Sequence, residues 1–158
     1  MNKKNLYIGA IGFVLGAAMF ALFGFMSAPG MMINENFSAL SFDETVETIK
    51  TTAAEKGWKV PAVHYIDKSV KNAGYEVLPV AVIELCHPGH AGRVVENDDG
   101  RVVTSMMPCR VSVYQRQDGK VVVSRMNTGM VSKMFGGIVS DVMAEATQDT
   151  EEILKNVL

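Results

Sequence analysis

The sequence predicts an α+β domain behind a single membrane-spanning helix: an antiparallel sheet with two helices on one face, in the order strand, helix, four strands, helix. Three observations carry this. A charge-free run occupies the N-terminus, and a helix with its own start and stop signals follows within some twenty residues. After it, short apolar segments separated by turn residues give way to one long stretch of helical periodicity. At 158 residues the chain has room for one ordinary domain and a small addition.

The addition comes first. Leu6–Met26 holds 21 residues without a charge, close to the roughly 20 that cross a bilayer as helix. Lys3 and Lys4 precede it, which predicts a cytoplasmic tail at residues 1–5, a transmembrane helix at 6–26, and an extracytoplasmic remainder. The expected setting is a plasma (inner) membrane with the domain in the periplasm or an equivalent outer space. A cleaved signal peptide fits less well. The apolar run exceeds the roughly 7–15 residues of a secretory core, and cleavage after Ala28 would leave Pro29 at the new terminus. Gly12 and Gly16 form a small-xxx-small pair, compatible with a homodimer, although such pairs are common in Gly/Ala-rich spans.

Residues 27–36 read as a tether merging into a strand over about 31–40, with the folded domain at 37–158. Ser41 and Glu44 have capping-box spacing. Phe42, Val46, Ile49 and Ala53 follow at helical intervals, and Gly57 supplies a stop. Residues 58–66 alternate in bulk and predict a strand, with residues 67–74 as connection. The next strand covers 75–86, and its Val80–Ile83 core predicts burial on both faces. A short helix is expected at 91–96, then a turn at Asn97–Gly100. Residues 106–116 and 120–127 flank Asp118-Gly119, a hairpin signal. Val111 and Val113 fall on one side, with Arg110, Ser112 and Tyr114 on the other, so one side is expected to be wet. Residues 128–158 read as helix. Gly136 and Gly137 weaken its first third or permit close packing or a kink.

Of 15 basic residues two precede the span, leaving 13 against 17 acidic residues, a net charge of −4 outside the membrane. No basic stripe appears, which argues against nucleic acid as a partner. No nucleophile elbow, phosphate loop, zincin helix or dinucleotide fingerprint is present, so the reading leans away from an enzyme and assigns no catalytic residue.

"SFDETVETIKTTAAEKGW", "VIELCHPGHA" and "MMPCRVSVYQRQDGKVVVS" together resemble, in order and spacing, the family of domain of unknown function 302. Glu84, Leu85, Cys86 and Pro88 match its first motif. Pro108, Cys109, Arg110, Val111, Val113 and Tyr114 match its second. The resemblance spans about residues 37–128. It implies a fold like half of the TATA-binding protein without DNA binding, and it implies no particular activity. His87 stands where the family usually has Asn, and the anchor is extra to the core.

The chemistry-bearing residues cluster in "ELCHPGH". Cys86 ends one strand and Cys109 opens the next. A disulfide, a switchable redox pair, or two packed thiols are all open readings. Without a CxxC, thioredoxin chemistry has no local support. Cys86, His87, His90 and Cys109 are also a ligand set suited to copper or zinc, with thioethers at Met106 and Met107 favouring copper(I). The turn at Pro88-Gly89 and the opposed directions of neighbouring side chains on a strand count against all four meeting at one ion. Eleven methionines are explained more simply by packing. His64 reads as a structural histidine. Glu84 shares a strand face with Cys86, and it joins Arg110 as a ligand or redox candidate. The expected function is a membrane-anchored extracytoplasmic binding module for a small molecule, metal or protein. The alternative is a thiol redox protein using Cys86 and Cys109.

Overall fold

The capping box forms as its spacing predicts. In the computed structural model, which describes residues 3–158 except the side chains of residues 3–8, 10 and 25–29, Ser41 caps helix α2, Phe42–Glu55. The Ser41 amide donates to Glu44 Oε2 at 3.1 Å and the Glu44 amide donates to Ser41 Oγ at 3.5 Å. The hydroxyl and amide of Ser41 both hold the Glu44 carboxyl below the usual carboxylate range.

The chain divides into two units, residues 1–32 and 33–158. The first is helix α1, Lys3–Met32, with Phe13, Phe20 and Phe23 exposed. The helix continues through residues 27–32, where a tether was expected. Pro29 costs one intrahelical hydrogen bond, yet the helix ends only at Met32. The expected span at 6–26 includes side chains outside the described residues. Among the described residues, no helix is long and apolar enough to cross a membrane.

The second unit opens with strand β1, Ile33–Phe37, shorter than expected. After α2, Gly57 takes φ +78°, and the Trp58 amide donates to the Ala53 carbonyl at 2.9 Å. The expected strand over 58–66 survives only as a bridge between Lys59 and Cys86 and as β2, Val63–Tyr65. Pro61, which has no amide hydrogen, separates the two pieces. Helix α3, Ile66–Lys71, occupies part of the expected connection. Strand β3, Val80–Leu85, begins only after Pro79. Its Ala81, Ile83 and Leu85 are fully buried while Val80 and Val82 are half-buried, so the two-faced burial expected here is corrected to one face.

Helix α4, Pro88–Val95, starts three residues earlier than expected. His87 acts as its N-cap and Pro88 takes the first turn, where its missing amide hydrogen costs nothing. A 3-10 helix at Gly100–Met106 was not foreseen. At Gly100 an added Cβ would collide with the Val94 carbonyl oxygen, so glycine lets this turn close on α4. Strands β4, Cys109–Gln115, and β5, Val121–Met126, form the expected hairpin. The C-terminal helix is divided into α5, Thr128–Ser132, and α6, Gly137–Leu154. Gly136 and Gly137 take φ +71° and +53° between them, conformations that residues with a Cβ rarely adopt.

The sheet order is β1-β5-β4-β3-β2, all neighbours antiparallel. Without the short helices, the sequence of elements is strand, helix, four strands, helix, an α+β fold as expected. One sheet face carries Ala81, Ile83, Leu85, Val111, Val113, Val121 and Val123 against Val46, Ile49 and Ala53 of α2 and Ile153 and Leu154 of α6. A smaller core joins Val94 of α4, Val103, and Val139 and Val142 from the first half of α6. The opposite sheet face holds Arg110, Ser112 and Tyr114 between the buried Val111 and Val113, as expected from the alternation.

Candidate functional site

A cavity of about 320 Å³ lies where the end of the sheet meets α4, the 3-10 helix and α6. Its wall is mainly apolar. Leu85, Val94, Val142 and Ala146 form much of it, and Met106, Met107, Met126 and Met143 add thioethers able to adjust to different shapes. Trp58, 3% exposed, lines it as well, and it is the chain's single tryptophan. The volume sits at the lower end of the roughly 300–1,000 Å³ usual for small-molecule sites.

Cys86, His87, His90, Cys109 and Arg110 all line this cavity, and Glu84 does not. Cys109 is paired in register with Leu85, the residue before Cys86, so the two motifs meet at adjoining strand ends. Both cysteines are free; the disulfide reading is not realised. Burial, reinforced by the charge that Cys86 would carry, pushes the Cys109 thiol above its ordinary range.

The expected copper or zinc set does not assemble either. Among the described residues, no group of three or more His, Cys, Asp or Glu side chains is placed to hold an ion. The cause is α4. His87 caps that helix, its Nδ1 accepting the His90 amide at 3.3 Å. One turn on, His90 faces α6, with Nε2 2.9 Å from Asp149 Oδ2 and Nδ1 3.7 Å from Glu145. Glu145 in turn accepts from Arg93 at 2.5 Å, and the arginine's bond, more than its charge, holds that carboxyl below its usual range. The two imidazoles lie 4.5 Å apart and 5.5 and 5.7 Å from Trp58. "CHPGH" therefore ends a strand, caps a helix and ties that helix to α6 across the cavity.

Two features escaped the sequence. Arg125, 8% exposed, donates from Nε and Nη2 to both Glu151 oxygens at 2.7 and 2.6 Å, and from Nη1 to Asn36 Oδ1 at 2.8 Å. It clamps β1, β5 and α6 together beside the cavity. His90 also gains acidic partners 59 residues away in Asp149. Alternation in "VVVSRM" places Arg125 on the same face as Val121 and Val123, which is the sequence signal for an inward charge. Elsewhere, Glu84 Oε1 lies 3.2 Å from His64 Nε2 and 3.9 Å from Arg110 Nε. His64 is half exposed and hydrogen-bonded in this pair.

Fold and cavity define an α+β domain built on one antiparallel sheet, with a small-molecule-sized pocket at its end. Residues 34–158 match the family described as domain of unknown function DUF302, and the chain belongs to that family. A crystal structure of an uncharacterized conserved DUF302 protein from Bacillus stearothermophilus is similar with a TM-score of 0.72 at 19% identity. The match covers 81% of this chain and 99% of that one. No curated protein matches the chain.

Proposed function

We propose that this protein is a membrane-tethered extracytoplasmic binding module whose cavity takes a small, largely apolar ligand. The observation that carries the reading is the cavity itself: apolar, concave, floored by a rigid sheet, and bordered by a few polar groups, the usual make-up of a binding site. The tether is supported by the 21 uncharged residues at 6–26, and the lysines before them favour a cytoplasmic N-terminus. The redox alternative draws less support. The buried thiol of Cys109 resists ionisation, and the thiolate is the reactive form.

Trp58 provides the test. A brominated aliphatic alcohol, 10-bromodecanol, quenches a tryptophan it touches, so saturable quenching of Trp58 is expected on titration. Ala146→Phe, filling the cavity from α6, should abolish saturation while leaving the far-ultraviolet circular dichroism unchanged. Absence of saturable quenching in the unaltered chain rules the binding-module reading out.

A further inference from the structure

We propose that Arg110, Ser112 and Ser124 form a head-group cradle in this cavity, and that its ligand is an aliphatic monocarboxylate. The inference rests on reading the cavity as a binding site and adds what it selects. All three residues line the cavity. Arg110 and Ser112 are two apart on β4 and so point to the same sheet face, and Ser112 is paired directly with Ser124 of β5.

What distinguishes these groups is that they are uncommitted. The other lining guanidinium, Arg125, is spent on Glu151 and Asn36. His90 is held by Asp149, and His87 uses its Nδ1 to cap α4. Arg110 has only a 3.9 Å approach to Glu84, whose nearest oxygen already serves His64 at 3.2 Å. Among the described residues neither serine hydroxyl has a hydrogen-bond partner. One open guanidinium fork beside two free hydroxyls is a set of donors on an apolar wall. A carboxylate, which only accepts hydrogen bonds and matches the fork in two places, complements it. A neutral ligand leaves the guanidinium unused, and a cation is repelled.

The charge of the ligand is limited to one. Glu84 and Glu35 flank the cradle on the same sheet face, though neither lines the cavity. Glu35 accepts from Tyr114 Oη at 2.7 Å and Glu84 is engaged as above. A dianion such as a phosphate monoester would face two carboxylates with Arg110 as the cradle's cation. Val82, paired with Ser112, and Met126 lie on the same sheet face and continue from the cradle as apolar surface, along which an aliphatic chain would pack.

The test compares 10-bromodecanoate with 10-bromodecanol as quenchers of Trp58. It uses the full chain at neutral pH in an amphipathic polymer free of tryptophan. Partitioning into the polymer is common to every variant, so variant ratios cancel it. The carboxylate is expected to bind at least about tenfold more tightly than the alcohol, the scale of one charge-assisted contact at a partly exposed site. Arg110→Gln should bring that ratio to about one without changing alcohol affinity. Ser112→Ala combined with Ser124→Ala should reduce it about threefold. Equal affinities in the unaltered chain once each compound's own partitioning into the polymer is subtracted, or a ratio that Arg110→Gln leaves intact, overturn the cradle while the binding site stands. If neither compound quenches, the binding site and the cradle fall together.

Discussion

Glu151→Ala should be among the most damaging single changes outside the apolar core. It strips the Arg125 guanidinium of two of its three side-chain acceptors and leaves Asn36 alone. Removing one partner of a buried ion pair costs roughly 3–5 kcal/mol because the remaining charge is unpaired. Here the arginine side chain is 7% exposed but the glutamate is 43% exposed. Water can therefore enter the space Glu151 vacates, which brings the expected loss down to about 2–3 kcal/mol. The reverse change, Arg125→Met, should cost less. It leaves a carboxylate that already faces solvent, and the unbranched methionine fills most of the buried space. Urea unfolding of residues 33–158, followed by circular dichroism and Trp58 fluorescence, measures both. The slope with denaturant should stay constant while the midpoint moves. For a domain of this size, 2–3 kcal/mol corresponds to about 8–12 °C in melting temperature. If Glu151→Ala costs under about 0.5 kcal/mol, or Arg125→Met costs more than Glu151→Ala, the clamp is not what joins β1 and β5 to α6.

Ser41→Ala should lower stability by about 1 kcal/mol at neutral pH through loss of the N-cap. Glu44 has its folded pKa depressed below its usual 4.5, so its contribution is present above that value and disappears as pH falls through the folded pKa. The gap between the unaltered domain and Ser41→Ala should therefore narrow in acid, as denaturant titrations across pH would show. Cys109 should alkylate far more slowly at pH 8 in the folded domain than in urea, because burial keeps its thiol protonated; equal rates by mass spectrometry contradict that burial. A reporter fused after Leu158 should be active outside the cytoplasm, and a mature chain beginning at Pro29 would refute the retained anchor.

The parts of this fold that were legible in the sequence are those decided within a few residues. Ser41 and Glu44 announce α2, Asp118-Gly119 announces a hairpin, and the alternation around Val111 and Val113 announces which side is buried. Boundaries failed where a proline or glycine acts through geometry rather than composition. Pro61 and Pro79 shorten two strands, and Gly136-Gly137 divides a helix whose apolar periodicity runs on past the break. The site was half legible. The cysteines and histidines of "CHPGH" do line one cavity, yet the groups that occupy His90 come from α6, and the acid that neutralises Arg125 lies 26 residues further on. Such partners are fixed by packing, and no local pattern names them.

The place of β1 in the sheet has a consequence for how the domain is made. β2, β3, β4 and β5 follow one another as neighbours, but β1 pairs only with β5, and Asn36 meets Arg125 across 89 residues of sequence. Contacts so distant along the chain form slowly, since the intervening loop must first be closed. In the direction of synthesis β1 is the first strand of the domain to appear and among the last to find a place. Its pairing must wait for β5 and its clamp for Glu151, so until then β1 is an unpaired strand open to other contacts. A nascent chain arrested before α6 should remain sensitive to protease within β1, and one released at Leu158 should not.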